Sequence, residues 1–184
     1  MGKFYYYKDE CIVRFNSAIK KFSPQVSFAF PDFLKIVKYP LDSYKNENRK
    51  RSGICYSVRK AKNYEVLHDS QDTCIDGLSH EEINNIFNNS VYFLSYDPYS
   101  AYSILALVSG CISVVAEQDA ISKFDWYPDD EDRLGIAYGF DDIKWAVSTS
   151  SQQIERVLNE EARSADCARD FFEKVTNYFI QRKS

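Results

Sequence analysis

Most of the chain after residue 52 consists of short apolar runs separated by amphipathic segments. The apolar runs are typical of buried strands, and the segments between them place apolar residues at helical spacing. The pattern predicts strands over residues 53–58, 64–67, 91–95, 111–116 and 136–138. It predicts helices over residues 79–87, 99–109 and 141–147, and a long amphipathic helix over residues 151–179. Ser79 stands three residues before Glu82, which predicts a capping box at the start of the first of these helices.

The alternation of strands and helices predicts the fold class. Near-continuous apolar strands, such as Ile-Ser-Val-Val at residues 112–115, are typical of parallel strands that are covered on both faces. We therefore expect an α/β fold, with a Rossmann-like parallel sheet, helices on both faces and a long C-terminal helix. In such sheets, ligands bind in the crevice outside the carboxyl ends of the strands.

The first 52 residues differ from the rest. Residues 1–41 are rich in aromatic side chains and contain three prolines, so we expect an irregular segment with one helix over residues 11–22. Residues 42–52 are almost all polar or charged and are interpreted as a connector. The sequence thus predicts an aromatic-rich N-terminal segment (1–41), a polar connector (42–52) and a Rossmann-like domain (53–184).

Composition excludes several classes of protein. Hydrophobic residues make up 45% of the 184 residues, which suffices for a packed core and argues against general disorder. The net charge of -4 disfavours a nucleic-acid binder. The five cysteines are an odd number without a C-x-x-C pair, so we expect reduced thiols that pack as small apolar side chains.

The sequence carries no recognisable targeting or membrane signal. Its N-terminus is charged throughout and lacks the apolar centre of a signal peptide. The longest apolar stretch, residues 104–116, is too short to span a bilayer and is interrupted by polar residues. The sequence therefore predicts a cytoplasmic protein without a transmembrane segment, and leaves open that it works at the inner face of the membrane.

The first candidate site lies where the strand at 91–95 gives way to a helix. Asp97 and Pro98 end the strand, and the helix is expected to begin near Ser100. Its free N–H groups and the positive end of its dipole would face the crevice and suit a diphosphate. Ser100 and Ser103 would add hydroxyl donors, and Gly110 suits the left-handed residue that ends such a helix. The alternative is an ordinary strand–loop–helix unit in which Asp97 is a simple cap.

The second candidate site follows the first strand of the domain. Arg59, Lys60 and Lys62 stand directly after that strand, and would lie at the rim of the crevice. Arginine can grip a phosphate with two parallel hydrogen bonds, whereas lysine acts as a point charge. The alternative is a solvated basic loop. The two sites support one another, because both fall at carboxyl ends of predicted strands and both suit anions.

A resemblance to a known family rests on residues 97–111, which read DPYSAYSILALVSGC. This stretch is similar, without gaps, to the E-P-F-G-x-x-x-x-E-A-x-A-x-G-[TC] motif in the donor-binding domain of many GT-B glycosyltransferases. Asp97 matches the first acid, Pro98 and Tyr99 match Pro-Phe, and Ser100 matches the first glycine. The chain departs from the motif at Leu105, which stands where the family has a second acid that grips the nucleotide ribose.

The order of segments over residues 39–179 resembles uncharacterised bacterial proteins linked to polysaccharide and lipopolysaccharide synthesis. The segments are CYSVRKAKN, IDGLSHEEINNIF, VYFLSYDPYSAYSILALVSGCISVV and RLGIAYGFDDIKWA. The resemblance implies a donor-binding half that needs no metal or other cofactor. It implies a nucleotide-sugar site formed by Arg59, Lys60, Lys62, Asp97, Pro98, Tyr99, Ser100, Ala101 and Tyr102.

The function expected from the sequence is nucleotide-diphosphate-sugar binding within a glycosyltransferase of surface polysaccharide or lipopolysaccharide synthesis. Too few residues precede the connector to form an acceptor domain, so the chain is expected to be incomplete as an enzyme, and no catalytic residue is assigned. Residues 1–40 would then be the remnant of a missing domain, or a surface for a partner domain or a second copy. The alternative is a non-catalytic α/β interaction module. Four adjacent acids at residues 129–132 are interpreted as a solvated turn rather than a metal site.

Overall fold

The computed structural model describes residues 11–18, 28–59, 61, 64–119 and 121–181. The chain falls into two compact units. One consists of Tyr39–Val157, and the other of Met1–Lys38 together with Leu158–Ser184. The first unit thus contains both the segment interpreted as a connector and the predicted domain up to residue 157.

The unit formed by the two ends of the chain contains a pair of short strands. β1 (Cys11–Arg14) and β2 (Phe28–Phe33) pair in parallel. The helix predicted over residues 11–22 is therefore wrong at residues 11–14, and its residues 19–22 lie outside the described part of the chain. Residues 12 and 13 are isoleucine and valine, whose β-branched side chains favour an extended backbone.

The other unit is built on a parallel sheet of five strands. These are β3 (Ile54–Ser57), β4 (Thr73–Cys74), β5 (Tyr92–Ser95), β6 (Ile112–Val115) and β7 (Ile136–Tyr138). Their spatial order is β4-β3-β5-β6-β7, and every neighbouring pair is parallel. The predicted α/β fold with a Rossmann-like parallel sheet is confirmed.

Four α-helices accompany the strands in the described residues. They are α1 (His80–Asn89), α2 (Tyr102–Val108), α3 (Lys123–Trp126) and α4 (Ile143–Gln181). The predicted capping box is confirmed at the start of α1. The hydroxyl of Ser79 accepts from the Glu82 N–H, and the Glu82 carboxylate accepts from the Ser79 N–H at 2.8 Å.

Helices cover both faces of the sheet. On one face, Phe93 of β5 packs with Ile83 and Phe87 of α1 and with Leu105 of α2. On the other face, side chains of the central strands pack against the start of α4 in a cluster formed by Leu94, Val114, Ala137 and Ala146. Successive strand residues point to opposite faces, so these two cores follow from the alternation within β5 and β6.

The long C-terminal helix is continuous, whereas the sequence predicted two helices over 141–147 and 151–179. The break was expected at Ser148, Thr149 and Ser150, which are weak helix formers. The helix runs through all three, and each of their hydroxyls donates to a carbonyl one turn earlier, at 2.8–2.9 Å. The Thr149 hydroxyl also accepts from the N–H of Gly135 at 2.9 Å, which fastens α4 to the start of β7.

Two further predictions differ from the structure. The strand predicted over residues 64–67 is wrong, because β3 pairs instead with β4 at Thr73–Cys74. Val66 is 63% exposed, and the Leu67 N–H donates to the Tyr96 hydroxyl at 2.7 Å rather than to a ladder. The helix predicted over residues 99–109 is shorter than expected and begins at Tyr102.

The polar segment 42–52 packs closely along α1. Tyr44 is buried, and its hydroxyl lies 2.7 Å from Nδ1 of His80. The side-chain amide of Asn88, also buried, accepts from the Glu47 N–H at 2.7 Å and donates to the Lys45 carbonyl at 2.8 Å. Most of the segment is exposed, and Tyr44 and the hydrogen bonds to Asn88 attach it to α1.

Candidate functional site

The strand order brings two loops together at the carboxyl edge of the sheet. The chain passes from β3 outward to β4, and then returns to place β5 on the other side of β3. Ser57, the last residue of β3, lies opposite Ser95, the last residue of β5. In open α/β sheets the ligand crevice lies at such a reversal of strand order. The segments that begin at Val58 and Tyr96 therefore flank this point.

The turn after β3 is held by a carboxylate. Asp76 accepts a hydrogen bond from the Ser57 hydroxyl at 2.6 Å and another from the Val58 N–H at 2.9 Å. Arg59 follows directly and is exposed. Lys60 and Lys62 lie outside the described residues. Sequence reasoning missed Asp76, although the Asp-Gly pair at residues 76–77 is a turn signal.

The segment after β5 is a self-bonded turn. The Asp97 carboxylate accepts from the Tyr99 N–H at 3.0 Å, and the Ser100 hydroxyl accepts from the Tyr102 N–H at 3.3 Å. The N–H groups of Ser100 and Ser103 donate to the carbonyls of Asp97 and Ser100 at 3.3 and 3.2 Å. Over residues 99–103, the N–H of Ala101 is thus the one without an acceptor in the described chain. The helix start offers an anion fewer donors than the sequence suggested.

Trp126, at the end of α3, and the next residue, Tyr127, contact this turn. The indole N–H of Trp126 donates to the Pro98 carbonyl at 2.6 Å, and Trp126 is buried. The Tyr127 ring packs edge-on against the ring of Tyr99, with centroids 5.7 Å apart. Tyr99 is nevertheless 48% exposed. Of these aromatic residues, Tyr99 is the one that presents a ring to solvent beside the turn.

Two residues of the predicted helix, Ser103 and Leu105, are buried, and Gly110 follows its C-terminal end. Ser103 is buried, and its hydroxyl has no hydrogen-bond partner in the described residues. Leu105, at the position of the family's second acid, is buried in the core between α1 and α2. Gly110 has a φ of 93° and ends α2 as predicted. The N–H groups of Gly110 and Cys111 bond back to Leu107 and Ala106 at 2.9 Å, which is a Schellman motif.

Two cavities lie along the carboxyl ends of β6 and β7. The larger has a volume of about 580 Å³ and the smaller about 310 Å³. Glu117, Asp119 and Asp141 line both of them. The larger is also lined by Gln118, Ile121, Ser122, Lys123, Tyr138 and Asp142. The smaller is also lined by Tyr64, Glu65, Leu67, Ala116, Gly139 and Phe140.

The loop between β6 and α3 is held by a buried tyrosine. The Tyr138 hydroxyl accepts from the Gln118 N–H at 3.1 Å and donates to the Ile121 carbonyl. Burial raises the pKa of Tyr138 above its usual value, so the hydroxyl stays protonated and keeps its donor role at neutral pH. The larger cavity therefore has one wall in which Tyr138 holds the backbone of Gln118 and Ile121.

The charge of the crevice changes from one side to the other. Beside β3 stands Arg59, a cation. Beside β6 and β7 the cavities are lined by carboxylates, and the one cation among their described lining residues is Lys123. Lys123 Nζ lies 2.6 Å from the Asp142 carboxylate, so its charge is already balanced. The carboxylates suit groups that donate hydrogen bonds, such as hydroxyls and amines, whereas the Arg59 side suits anions.

An aromatic cluster supports the smaller cavity from the β3 side. The imidazole of His68 stacks on the Tyr56 ring with centroids 3.6 Å apart, and its Nδ1 lies 2.8 Å from the Tyr96 hydroxyl. The Tyr64 ring packs on Tyr96 with centroids 4.4 Å apart. Burial raises the pKa of Tyr96. Residues 64–67, which were predicted as a strand, thus lie in a loop that contacts Tyr96 through the Tyr64 ring and the Leu67 N–H.

Two of the four acids at residues 129–132 form ion pairs with arginines. Asp130 pairs with Arg133, which is buried. Asp132 is buried as well and lies 3.4 Å from Nη1 of Arg156. In the part of the chain that the structure describes, no three His, Cys, Asp or Glu side chains are grouped so as to hold a metal ion.

Comparison of the chain with protein-family models, with curated proteins and with solved structures found no match. Within the described residues, no helix combines the length and apolar character needed to cross a membrane.

Proposed function

We propose that the unit Tyr39–Val157 binds a nucleotide diphosphate sugar in the crevice at the carboxyl edge of its sheet. The observation that carries this proposal is the adjacency of β3 and β5. It places Arg59 and the turn at residues 97–102 on two sides of the strand-order reversal, where α/β sheets bind their ligands. The sequence motif at residues 97–111 supports the same class of ligand.

The charge distribution of the crevice fits the two chemical halves of such a ligand. A diphosphate carries negative charge and suits Arg59, whose guanidinium can make two parallel hydrogen bonds to it. The N–H of Ala101, which has no acceptor in the described residues, is a further donor in the turn after β5. A ribose or a sugar presents hydroxyl donors, and these suit the carboxylates of Glu117, Asp119 and Asp141. A cavity of about 580 Å³ lies within the usual range for small-molecule sites, roughly 300–1,000 Å³.

We further propose that this unit is the donor-binding half of a glycosyltransferase in surface polysaccharide or lipopolysaccharide synthesis. This step rests on the family resemblance. Transfer of the sugar also requires an acceptor site and a catalytic base. We propose that a partner domain or a second copy supplies both, through residues 1–40.

Thermal unfolding with a panel of ligands tests the binding proposal. A ligand that binds the folded state at about 100 times its Kd adds about 2.7 kcal/mol of stability. We expect at least one of the UDP, GDP, CDP and ADP sugars to raise the melting temperature of the wild-type chain. Arg59→Ala is expected to lose this rise. Lys50→Ala is the matched control, because Lys50 is an exposed cation that precedes β3 at the opposite end of the strand.

A second candidate function, a non-catalytic interaction module, is favoured by the C-terminal part of α4. Leu158, Phe172 and Ile180 are 51%, 66% and 59% exposed there. Large exposed apolar side chains on one helix are typical of a surface that meets another protein. Analytical ultracentrifugation of the wild type and of Phe172→Glu tests this function. Self-association that the charge abolishes, together with no response to nucleotide sugars, would favour it over the first.

A further inference from the structure

The smaller cavity has two aromatic side chains in its wall, whereas the larger has one, that of Tyr138. Tyr64 and Phe140 both line it, and they are 36% and 38% exposed. Each ring is supported on another side by a second tyrosine. Tyr64 packs on Tyr96 at 4.4 Å between centroids, and Phe140 packs edge-on against Tyr92 at 6.3 Å. These rings are held in place while part of each faces the cavity.

Supported, half-open aromatic rings in a cavity are suited to stacking on a flat ring. Base–aromatic stacking needs a π-face and little else, and its strength is considerable when the aromatic side chain is already fixed. A sugar ring can pack its C–H groups on an aromatic side chain, but it has no π-face of its own for stacking. The aromatic walls therefore favour a base as the occupant of the smaller cavity.

The charged groups of the same cavity restrict which base fits. Its lining carries the carboxylates of Glu65, Glu117, Asp119 and Asp141, and no lysine or arginine among the described lining residues. These four carboxylates disfavour a phosphate beside them. A carboxylate accepts hydrogen bonds and donates none. The base must therefore present donors toward the wall.

Guanine matches this requirement better than the other bases. Its ring N–H and its exocyclic amine are adjacent donors, and together they can meet the two oxygens of one carboxylate. Adenine and cytosine place an amine next to an acceptor nitrogen. Uracil places its single N–H between two carbonyl oxygens, which would face the carboxylate unfavourably.

We propose, as an extension of the proposed function, that the cavity lined by Tyr64 and Phe140 binds the base of the nucleotide and selects guanine. The base stacks on these rings and donates to a carboxylate of Asp119 or Asp141. The smaller cavity is lined by Tyr64, Glu65 and Leu67, which follow β3, whereas the larger is not. The ribose and the diphosphate would therefore extend from the smaller cavity toward Arg59.

Calorimetric titration of the full chain with GDP, IDP, ADP, CDP and UDP tests the proposal. IDP is the informative competitor, because its base lacks the exocyclic amine but is otherwise that of GDP. We expect GDP to bind about tenfold more tightly than IDP and UDP, which is the loss typical of a hydrogen bond to a charged group. Asp119→Asn with Asp141→Asn is expected to abolish the preference for GDP over IDP, because neither side chain then offers two acceptor oxygens to the base.

The stacking part of the proposal has its own variants. Tyr64→Leu keeps apolar volume but removes the flat ring, and is expected to weaken GDP binding about tenfold. Tyr64→Phe keeps the ring and is expected to bind GDP like the wild type. Circular dichroism of each variant confirms folding, and Phe140→Leu repeats the comparison at the second ring.

The outcomes separate this inference from the proposed function. Equal affinity for all five nucleotides, weakened by Arg59→Ala, would overturn the choice of guanine and leave nucleotide binding intact. A preference for GDP that survives Tyr64→Leu, Phe140→Leu and both Asn substitutions would overturn the placement of the base. Binding of none of the nucleotides would overturn both proposals.

Discussion

The hydroxyl of Ser57 donates to the carboxylate of Asp76 across 2.6 Å, and thereby joins the end of β3 to the residues that follow β4. The other carboxylate oxygen of Asp76 accepts from the Val58 N–H at 2.9 Å. Ser57 is fully buried. Since Arg59 is the next residue along the chain, these two bonds fix the direction in which the backbone presents that cation to the crevice.

Replacing Asp76 with Ala is expected to destabilise the fold and to weaken ligand binding. The substitution leaves the Ser57 hydroxyl and the Val58 N–H without their acceptor, at a cost of about 1–3 kcal/mol each for buried groups. Urea denaturation measures the change in the free energy of unfolding. A cycle with Ser57→Ala, Asp76→Ala and the double variant isolates the Ser57–Asp76 coupling, expected at 0.5 kcal/mol or more, in the range of roughly 0.5–3 kcal/mol for contacting residues.

Asp42→Ala is the control for the Asp76 variant. Asp42 is an exposed acid in a short helical turn, and its loss is expected to change stability by less than about 0.5 kcal/mol. Equal effects of the two substitutions would contradict the role assigned to Asp76.

The side chain of Glu117 lies against the backbone of Gly139 in the crevice. Gly139 has a φ of 78°, and a Cβ there would overlap the Glu117 carboxylate. Gly139→Ala is therefore expected to cost more than the 1–2 kcal/mol or so that a left-handed φ alone imposes. Gly77→Ala is the matched control, because Gly77 has a φ of 85° and open space around the added carbon.

The double variant Gly139→Ala with Glu117→Ala separates strain from overlap. Removing the Glu117 side chain is expected to return the cost of Gly139→Ala to that of Gly77→Ala, as measured by urea denaturation. A cost that the second substitution leaves unchanged would show that backbone conformation alone accounts for the loss.

Arg51 joins the ends of two helices. Its guanidinium donates to the Phe87 carbonyl at the end of α1, and to the Ser109 carbonyl after α2 at 2.6 Å. Arg51→Lys keeps the charge but cannot span both carbonyls, and is expected to cost about 2–4 kcal/mol. Arg49→Ala, which removes an exposed bond to Asn85, is expected to cost less than about 1 kcal/mol. Similar melting temperatures for the two variants would contradict this account.

The sequence predicted the central strands well because each is a continuous apolar run. β3, β5, β6 and β7 all lie within predicted ranges. β4 escaped prediction because it has two residues, Thr73 and Cys74, and its pairing depends on β3. The apolar pattern at residues 64–67 was misleading. These residues form no strand, and the Leu67 N–H donates to the Tyr96 hydroxyl.

The proximity of the two candidate segments could be predicted, but not the contacts around them. Carboxyl ends of parallel strands meet at one edge, so Arg59 and the turn after β5 were expected near each other from the chain order alone. The role of Asp76 requires that β4 lie beside β3. The acidic cavities require that Glu117 and Asp141, on separate loops, come together, and local patterns carry no signal for such long-range contacts.

Alkaline pH is expected to destabilise the unit through its buried tyrosines. Burial, and then the nearby Asp132 charge, raise the pKa of Tyr127 above its usual value. Below the unfolded-state pKa of about 10, the phenol is neutral in both states and its contribution is complete. Above that pH the unfolded chain releases the proton more readily, so stability falls as pH rises. Urea midpoints between about pH 8 and 11 measure this fall.

Tyr127→Phe tests whether Tyr127 contributes to the loss of stability at alkaline pH. It is expected to match the wild type near pH 8 and to lose stability less steeply above about pH 10. Because burial also raises the pKa of Tyr96 and Tyr138, some dependence on pH will remain. An unchanged slope in Tyr127→Phe would contradict the contribution assigned to Tyr127.

The most direct test of the central claim is calorimetric titration of the full chain with UDP, GDP, CDP and ADP sugars, on the wild type, Arg59→Ala and Lys50→Ala. The account predicts saturable binding of at least one of them, weakened by about 1.5 kcal/mol or more in Arg59→Ala and unchanged in Lys50→Ala. Absence of binding by all four, or equal binding by Arg59→Ala and the wild type, would contradict it.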